Sequence, residues 1–334
     1  MMLSSLSLFG RVGLGLALVG TGFAQGPLTA GTATSVAGRS AALSSLFKEM
    51  WDDELKHSPE FASELGDRRY GDQLSDLSPR AVNDGLARGQ GYLVRLAEID
   101  TTGLSADEKL AVETMEERLA AAEEGARAKA WEMPVTQAGG VQVVLPGLAA
   151  SLSFETVKDY DDWITRLKKI PDQIRQATED MMAGIDERRV QPVAVLEMAE
   201  KQTEDLAGQK PEESVFARPL KRFSASIGAA ERKRITDETL DAIQDDVLPA
   251  YVRFGKFLKV QAVPAGSPDG KASAVAPSGQ RLEEAKILEL RAKAKGSLGA
   301  RFDSKAFADL IAKDYVLPMK GLEERVNGWI ATQK

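Results

Sequence analysis

The sequence predicts a mainly α-helical protein, a multi-helix bundle with at most one short extended segment. Three observations predict it. Apolar residues recur at three- and four-residue spacing through most of the chain, and helix-start signals stand just before those stripes. Only one stretch, Gly140-Val-Gln-Val-Val-Leu145, reads as extended, bounded by Gly139-Gly140 and Pro146-Gly147. One strand does not make a sheet, and no repeat at a fixed period points to a solenoid.

The chain opens with the pattern of an export signal over residues 1–24. Arg11 is the first charge, the apolar stretch Val12-Gly-Leu-Gly-Leu-Ala-Leu-Val-Gly20 follows, and Gly22 and Ala24 put small residues at −3 and −1 of a cleavage before Gln25. The apolar core is too short and too glycine-rich to span a bilayer comfortably, so no stable membrane anchor is expected. With no Cys after it, a lipid anchor is not expected either. The expectation is export, periplasmic or secreted, after cleavage near Ala24. Residues 25–40, rich in Gly, Ala, Thr and Ser, read as a flexible spacer.

Helical stripes then follow in order. Leu43, Leu46, Phe47, Met50 and Trp51 form the first. Ser105-Ala-Asp-Glu108 is a capping box, since the Ser hydroxyl and the Glu carboxylate can each satisfy a free amide at a helix start. The helix it opens is expected to bury Val112, Met115, Leu119 and Ala122. Tyr160, Trp163, Ile164 and Leu167 make the next stripe, and Pro171 is expected to begin a further helix carrying Ile174, Met181 and Ile185. Leu240, Ile243, Val247, Tyr251, Phe254 and Leu258 continue the pattern, with a kink at Pro249. The bundle's first region is thus residues 41–263.

A composition break covers residues 264–280, where Pro, Gly, Ala and Ser dominate; it reads as a linker. Residues 281–334 carry the closing helices. Ile287, Leu290 and Ala294 share one face, Leu298-Gly299 is a stop, and Phe307, Leu310 and Ile311 follow an Asp303 or Ser304 start. A last helix after Pro318 presents Leu322, Val326, Trp329 and Ile330, which need the first region to dock against.

Composition limits the chemistry. The 334 residues are 43% hydrophobic and 28% charged, as in a folded globular protein. There is no Cys and one His, His57. Disulfides, thiol nucleophiles, thiolate zinc sites and zinc sites of two or three imidazoles therefore cannot be built from this chain. Lys plus Arg number 43 against 50 Asp plus Glu, for a net charge of −7. The basic runs Lys168-Lys169, Arg188-Arg189 and Arg232-Lys233-Arg234 are interleaved with acids and read as solvated helix faces, so nucleic acid is not an expected partner.

Each candidate for chemistry has a structural explanation. His57, in Leu55-Lys-His-Ser-Pro59, sits where a helix end favours a cation. Asp159, Asp161 and Asp162 are acids at a helix start, without the Gly and distal Glu of a calcium loop. Asp52-Asp53 and Asp245-Asp246 are neighbours that point to different faces. Ser45-Leu-Phe-Lys48 matches S-x-x-K but lacks the companion motifs of that chemistry. No nucleophile elbow, Walker loop or dinucleotide fingerprint occurs, and Gly139-Gly140 is suited at most to lining a groove. No catalytic, cofactor or metal residue is assigned.

The wording of the chain carries a resemblance. Phe61-Ala-Ser-Glu-Leu-Gly-Asp-Arg-Arg-Tyr70, Leu74-Ser-Asp-Leu-Ser78, Met133-Pro-Val-Thr-Gln137, Gly139-Gly140, Asp159-Tyr160, Trp163, Arg189-Val-Gln-Pro192 and Asp245-Asp246-Val-Leu-Pro-Ala-Tyr251 occur in order. Lys286-Ile-Leu-Glu-Leu-Arg291, Leu298-Gly299, Arg301-Phe302-Asp303, Leu317-Pro318 and Trp329-Ile330 follow. Together they resemble the bacterial domain-of-unknown-function 885 (DUF885) family over residues 42–260 and 277–332. The resemblance implies a mainly helical, often exported protein similar to zinc metallopeptidases, in which zinc polarises a carbonyl and a Glu acts as general base. The family's His-Glu…His-His segment is expected between Tyr251 and Lys286, where the Pro/Gly/Ala/Ser linker stands instead, so no zinc ligand or catalytic Glu carries over. The expectation is a truncated, hydrolytically inactive member that binds a peptide or a protein partner. Helix faces bared by the missing middle would favour self-association. The alternative is an active peptide or amide hydrolase with an unrecognised site or a full-length partner.

Overall fold

The computed structural model describes residues 35–136, 139–268 and 279–333. Helix α1 (Val36–His57) runs directly into α2 (Pro59–Leu65), with Pro59 at the first helical position. Gly66, at φ 98°, ends α2 in the left-handed conformation that a side chain would strain. A loop then leads to α3 (Pro79–Ala97), capped by the Ser78 hydroxyl, and to α4 (Ala106–Arg127), whose Ser105/Glu108 capping box is formed as the spacing requires. Next come α5 (Val141–Ser151), α6 (Val157–Asp186) and α7 (Val193–Ala207). Helices α8 (Ala229–Ala242), α9 (Leu248–Phe257) and α10 (Val263–Ala265) are joined end to end by two π-helical turns, Ile243–Val247 and Leu258–Ala262. Each π turn lies just before a proline, Pro249 or Pro264, so the missing amide falls where the helical hydrogen-bond pattern is already shifted. The closing helices are α11 (Gly279–Leu298), α12 (Ser304–Asp314) and α13 (Met319–Thr332). All belong to the compact unit Val36–Lys334.

Among the described residues there is no strand. The fold is mainly α, as the periodicity predicts, but the one stretch read as extended is a correction. Val141, Leu145 and Leu148 are buried on one face of α5, at helical spacing. A short apolar run between glycines suits a buried helix as well as a strand. Gly140, at φ 104°, turns the chain into the first helical turn.

Three further expectations are corrected. Pro171 does not begin a helix but lies inside α6, which is continuous. The buried positions Tyr160, Trp163, Leu167, Ile170, Ile174, Ala177 and Met181 keep helical spacing straight through it. In α4, Val112 and Met115 are buried, but Leu119 is only half-buried and Ala122 is exposed. Helix α1 begins at Val36, within the stretch read as spacer. Residues 1–24, read as the export signal, and 269–278, the greater part of the linker, lie outside the described residues.

Two apolar cores organise the helices. One joins α5, α6, α7 and α9 around Leu145, Trp163, Leu167, Ile174, Tyr251 and Phe254. The other joins α1, α2 and α4 to α11, α12 and α13 around Leu43, Trp51, Leu65, Met115, Leu290, Phe307, Leu322 and Ile330. The closing helices thus share a core with the first ones. Between the cores, Arg166 of α6 is 1% exposed. It donates to the main-chain oxygens of Pro59, Tyr70 and Gln73 and to Ser63 Oγ, at 2.6–3.0 Å. Beside it Glu60 accepts from the Ser75 amide at 3.0 Å and from Gln173 Nε2 at 2.8 Å. Those bonds pin the loop after α2 to α6, because buried polar groups without partners would be costly.

Candidate functional site

The partly covered middle of α4 faces a cavity of about 460 Å³. Its walls come from the second half of α1, from α2, from the middle of α4, from the start of α11, and from the segment linking α12 to α13. Met50, Trp51, Phe61, Met115, Leu119, Ile287, Tyr315 and Met319 supply an apolar surface, and Asp53, Glu54, Glu117, Glu283, Glu284 and Arg118 supply charge. The volume is that of an ordinary small-ligand site.

Helical geometry places these groups. Met50, Trp51 and Glu54 stand at three- and four-residue steps, so they share a face of α1. Trp51 is held between two rings: its centroid is 6.1 Å from that of Phe61, edge to face, and 4.7 Å from that of Tyr315. The Tyr315 hydroxyl donates to the Phe47 carbonyl at 2.8 Å, which ties the end of α12 to α1. Burial pushes that phenol well above its ordinary range, so it stays a neutral donor.

Arg118 lines the cavity and is tied to the elements around it. Its Nε donates to Glu283 Oε1 at 2.9 Å, and its terminal nitrogens donate to the carbonyls of Tyr315 at 2.5 Å and Leu317 at 3.1 Å. Those carbonyls lie just past the end of α12, where backbone acceptors lack helical partners and a cation is favoured. The guanidinium is therefore committed to the protein. Glu283 is raised by burial, an effect that Arg118 partly offsets and Glu54 reinforces.

Ser58, which is not among the lining residues, has its Oγ 3.0 Å from Glu54 Oε1 and 3.0 Å from Glu284 Oε1. One hydroxyl thus gathers carboxylates from α1 and α11. Asp53 pairs with Arg88 at 3.1 Å and with His57 Nδ1 at 3.3 Å.

Of the residues weighed as candidates for chemistry in the sequence, Asp53 alone lines the cavity, beside apolar positions of the helical stripes such as Met50, Trp51 and Met115. His57 ends α1 with Nδ1 2.8 Å from the Asp53 carbonyl oxygen. Asp159 caps α6 by accepting from Thr156, Asp161 pairs with Arg234, and Asp162 pairs with Lys158. Asp52 pairs with Lys48 and Arg69, Ser45 is exposed, and Asp245 is exposed on the first π turn. Arg118, Glu283 and Glu284 went unread because their meeting is made by helices far apart in sequence. A half-buried charged residue on an apolar stripe, as at Arg118 between Met115 and Leu119, is the signal that sequence offered.

A second, much smaller cavity of about 10 Å³ lies between α6 and α7, lined by Glu132, Met181, Arg189 and Leu196 among others. It has room for about one water.

These features define a helical bundle with a ligand-sized cavity among the described residues. The sequence profile of the family described as "Bacterial protein of unknown function (DUF885)" matches residues 59–282, and the chain belongs to that family. A crystal structure from Colwellia psychrerythraea, described as a "putative lipoprotein", is similar with a TM-score of 0.62 and 15% identity, over 87% of this chain and 54% of that one. At such identity the likeness shows the fold alone, and this chain spans about half of that protein's length. No curated protein matches the chain.

The zinc implied by the peptidase resemblance does not fit the donors present. The only imidazole is bound to its own helix end, and among the described residues no three His, Cys, Asp or Glu side chains gather as a metal group. Zinc prefers nitrogen or sulfur ligands to carboxylates alone. No helix of the described residues is long and apolar enough to cross a membrane.

Proposed function

We propose that this DUF885 member is an exported binding protein, shortened in its catalytic middle, that holds a peptide in the cavity between its first and its closing helices and does not hydrolyse it. The observation that carries the reading is that cavity: about 460 Å³, with an aromatic wall of Trp51, Phe61 and Tyr315 and charged groups from α1, α4 and α11. Aromatic walls give apolar contact area at little conformational cost, and a few placed polar groups give orientation. The export pattern at residues 1–24, and the linker standing where the family's histidine segment is expected, support the rest of the reading.

The test uses the purified full chain with a panel of short peptides. Titration calorimetry should show saturable binding that Trp51→Ala weakens at least tenfold, while mass spectrometry shows the peptides intact with or without added zinc. Turnover abolished by a chelator would overturn the reading.

One observation favours a second reading. Glu283, a carboxyl whose pKa burial raises and Arg118 partly lowers, lines the cavity, where a perturbed carboxyl is a candidate general acid or base. Cleavage that survives chelation and is lost in Glu283→Gln would make the protein a hydrolase with its own site.

A further inference from the structure

Resting on that reading, we infer that the cavity selects peptides by an uncharged aromatic side chain, with a neighbouring peptide carbonyl accepting from the Trp51 indole N–H. The charges around the cavity are already engaged within the protein. Asp53 is paired with Arg88 at 3.1 Å, and Glu283 with Arg118 at 2.9 Å. The terminal nitrogens of Arg118 donate to the carbonyls of Tyr315 and Leu317. Glu54 and Glu284 are held by other groups of the protein, Ser58 among them, and Glu117 is exposed to solvent. The Thr114 hydroxyl is used as well, donating to the Leu110 carbonyl at 2.8 Å. A charged ligand group would thus give up its water without meeting a buried counter-charge left free for it, a costly exchange.

What the cavity still offers is apolar and largely aromatic. Trp51 packs edge to face on Phe61 and tilted on Tyr315, and a further ring can extend that pattern. Met50, Met115 and Met319 line the same space. Their unbranched, polarisable side chains adapt to a flat ring and make favourable sulfur–aromatic contacts. One polar group is unspent. Trp51 is 6% exposed, and its indole N–H has no acceptor among the described residues, whereas that of Trp163 donates to the Phe216 carbonyl at 3.1 Å. A buried indole N–H ordinarily finds a partner, and a peptide carbonyl brought in beside the ring supplies a neutral one. The volume of about 460 Å³ suits a benzyl side chain together with its flanking peptide groups.

Four probes separate the outcomes: acetyl-Ala-Phe-Ala-amide and its counterparts with alanine, lysine or glutamate at the centre, each titrated into the full chain by calorimetry. The phenylalanine peptide should bind at least about tenfold more tightly than the alanine peptide, the benefit of burying one aromatic side chain. The lysine and glutamate peptides should bind no better than the alanine one. Added salt should leave the phenylalanine peptide's affinity nearly unchanged, as for an uncharged contact. In a nitrogen-15 spectrum one indole N–H resonance, absent in Trp51→Phe, should move downfield as the phenylalanine peptide binds. A resonance that stays in place would overturn the hydrogen bond. A lysine or glutamate peptide tighter than the alanine one, or equal affinity for all four, would overturn the selection and leave peptide binding standing. Failure of every peptide to bind would overturn both.

Discussion

Arg118 and Glu283 stand 165 positions apart in the chain and 2.9 Å apart in the fold. One lies in the middle of α4, the other in the first turns of α11, and the same guanidinium reaches the carbonyls after α12. A single side chain therefore joins an early helix to two elements of the closing segment and lines the cavity.

Arg118→Met should loosen that junction. It leaves Glu283 without its cation and two carbonyls without a donor, and should destabilise the protein by about 1–3 kcal/mol. Urea unfolding gives the magnitude. Hydrogen exchange should quicken first in α11–α13, and uniform quickening across the chain would refute the local role.

Arg166→Met should be more damaging. Arg166 is 1% exposed and serves four oxygens from α2 and the following loop. Its loss should cost about 3–5 kcal/mol, the usual scale for breaking a buried charged network. Arg166→Lys should recover only part, because an ammonium cannot reproduce the planar fork. Thermal melts of the three proteins decide this.

Asp180 gives the pH dependence. It is 3% exposed, with one carboxylate oxygen lacking a hydrogen-bond partner. Burial, with Glu132, Glu179 and Asp76 as like-charged neighbours, pushes it up to about 7 from 3.8. The folded state thus binds a proton that the unfolded state has already released. This contribution is present in full below about pH 4 and is lost as pH rises through about 7. Asp180→Asn should raise the melting temperature at pH 8, by the equivalent of about 1–2 kcal/mol, and leave it nearly unchanged at pH 4. Equal shifts at both pH values would refute the assignment.

Gly140→Ala should destabilise the start of α5. At φ 104° a side chain is strained, and an added Cβ would lie 2.5 Å from Gln142 Oε1 and 3.2 Å from the Val135 Cα. The expected cost is about 1–2 kcal/mol, read from chemical denaturation.

What could be read in the sequence followed the range of the interactions. The Ser105/Glu108 box, the Leu298-Gly299 stop and the Asp303 cap are set by neighbours within a turn, and all three stand where the spacing puts them. The stripe from Ile243 to Leu258 also holds, because burial on one face repeats at helical period. Readings failed where two local rules conflicted. Pro171 signals a helix start, yet packing on both sides keeps α6 unbroken; the run Val141–Leu145 suits strand and helix alike, and its neighbours decide. The cavity was not legible, since Trp51, Arg118, Glu283 and Tyr315 meet only in three dimensions. Period alone places Leu119 and Ala122 in the core, whereas they face the opening that distant helices leave.

The sharing of one core by the first and last helices also governs when the molecule can fold. Leu43 and Trp51 find Phe307, Leu322 and Ile330 only after more than 250 further residues have been synthesised. Contacts so remote in sequence close slowly, because a long loop must be ordered before they form. The helices around Trp163 and Tyr251 draw on a shorter stretch and can assemble sooner. Until Phe307, Leu322 and Ile330 are made, the apolar faces of α1 and α2 lack part of their cover, a state exposed to misassembly.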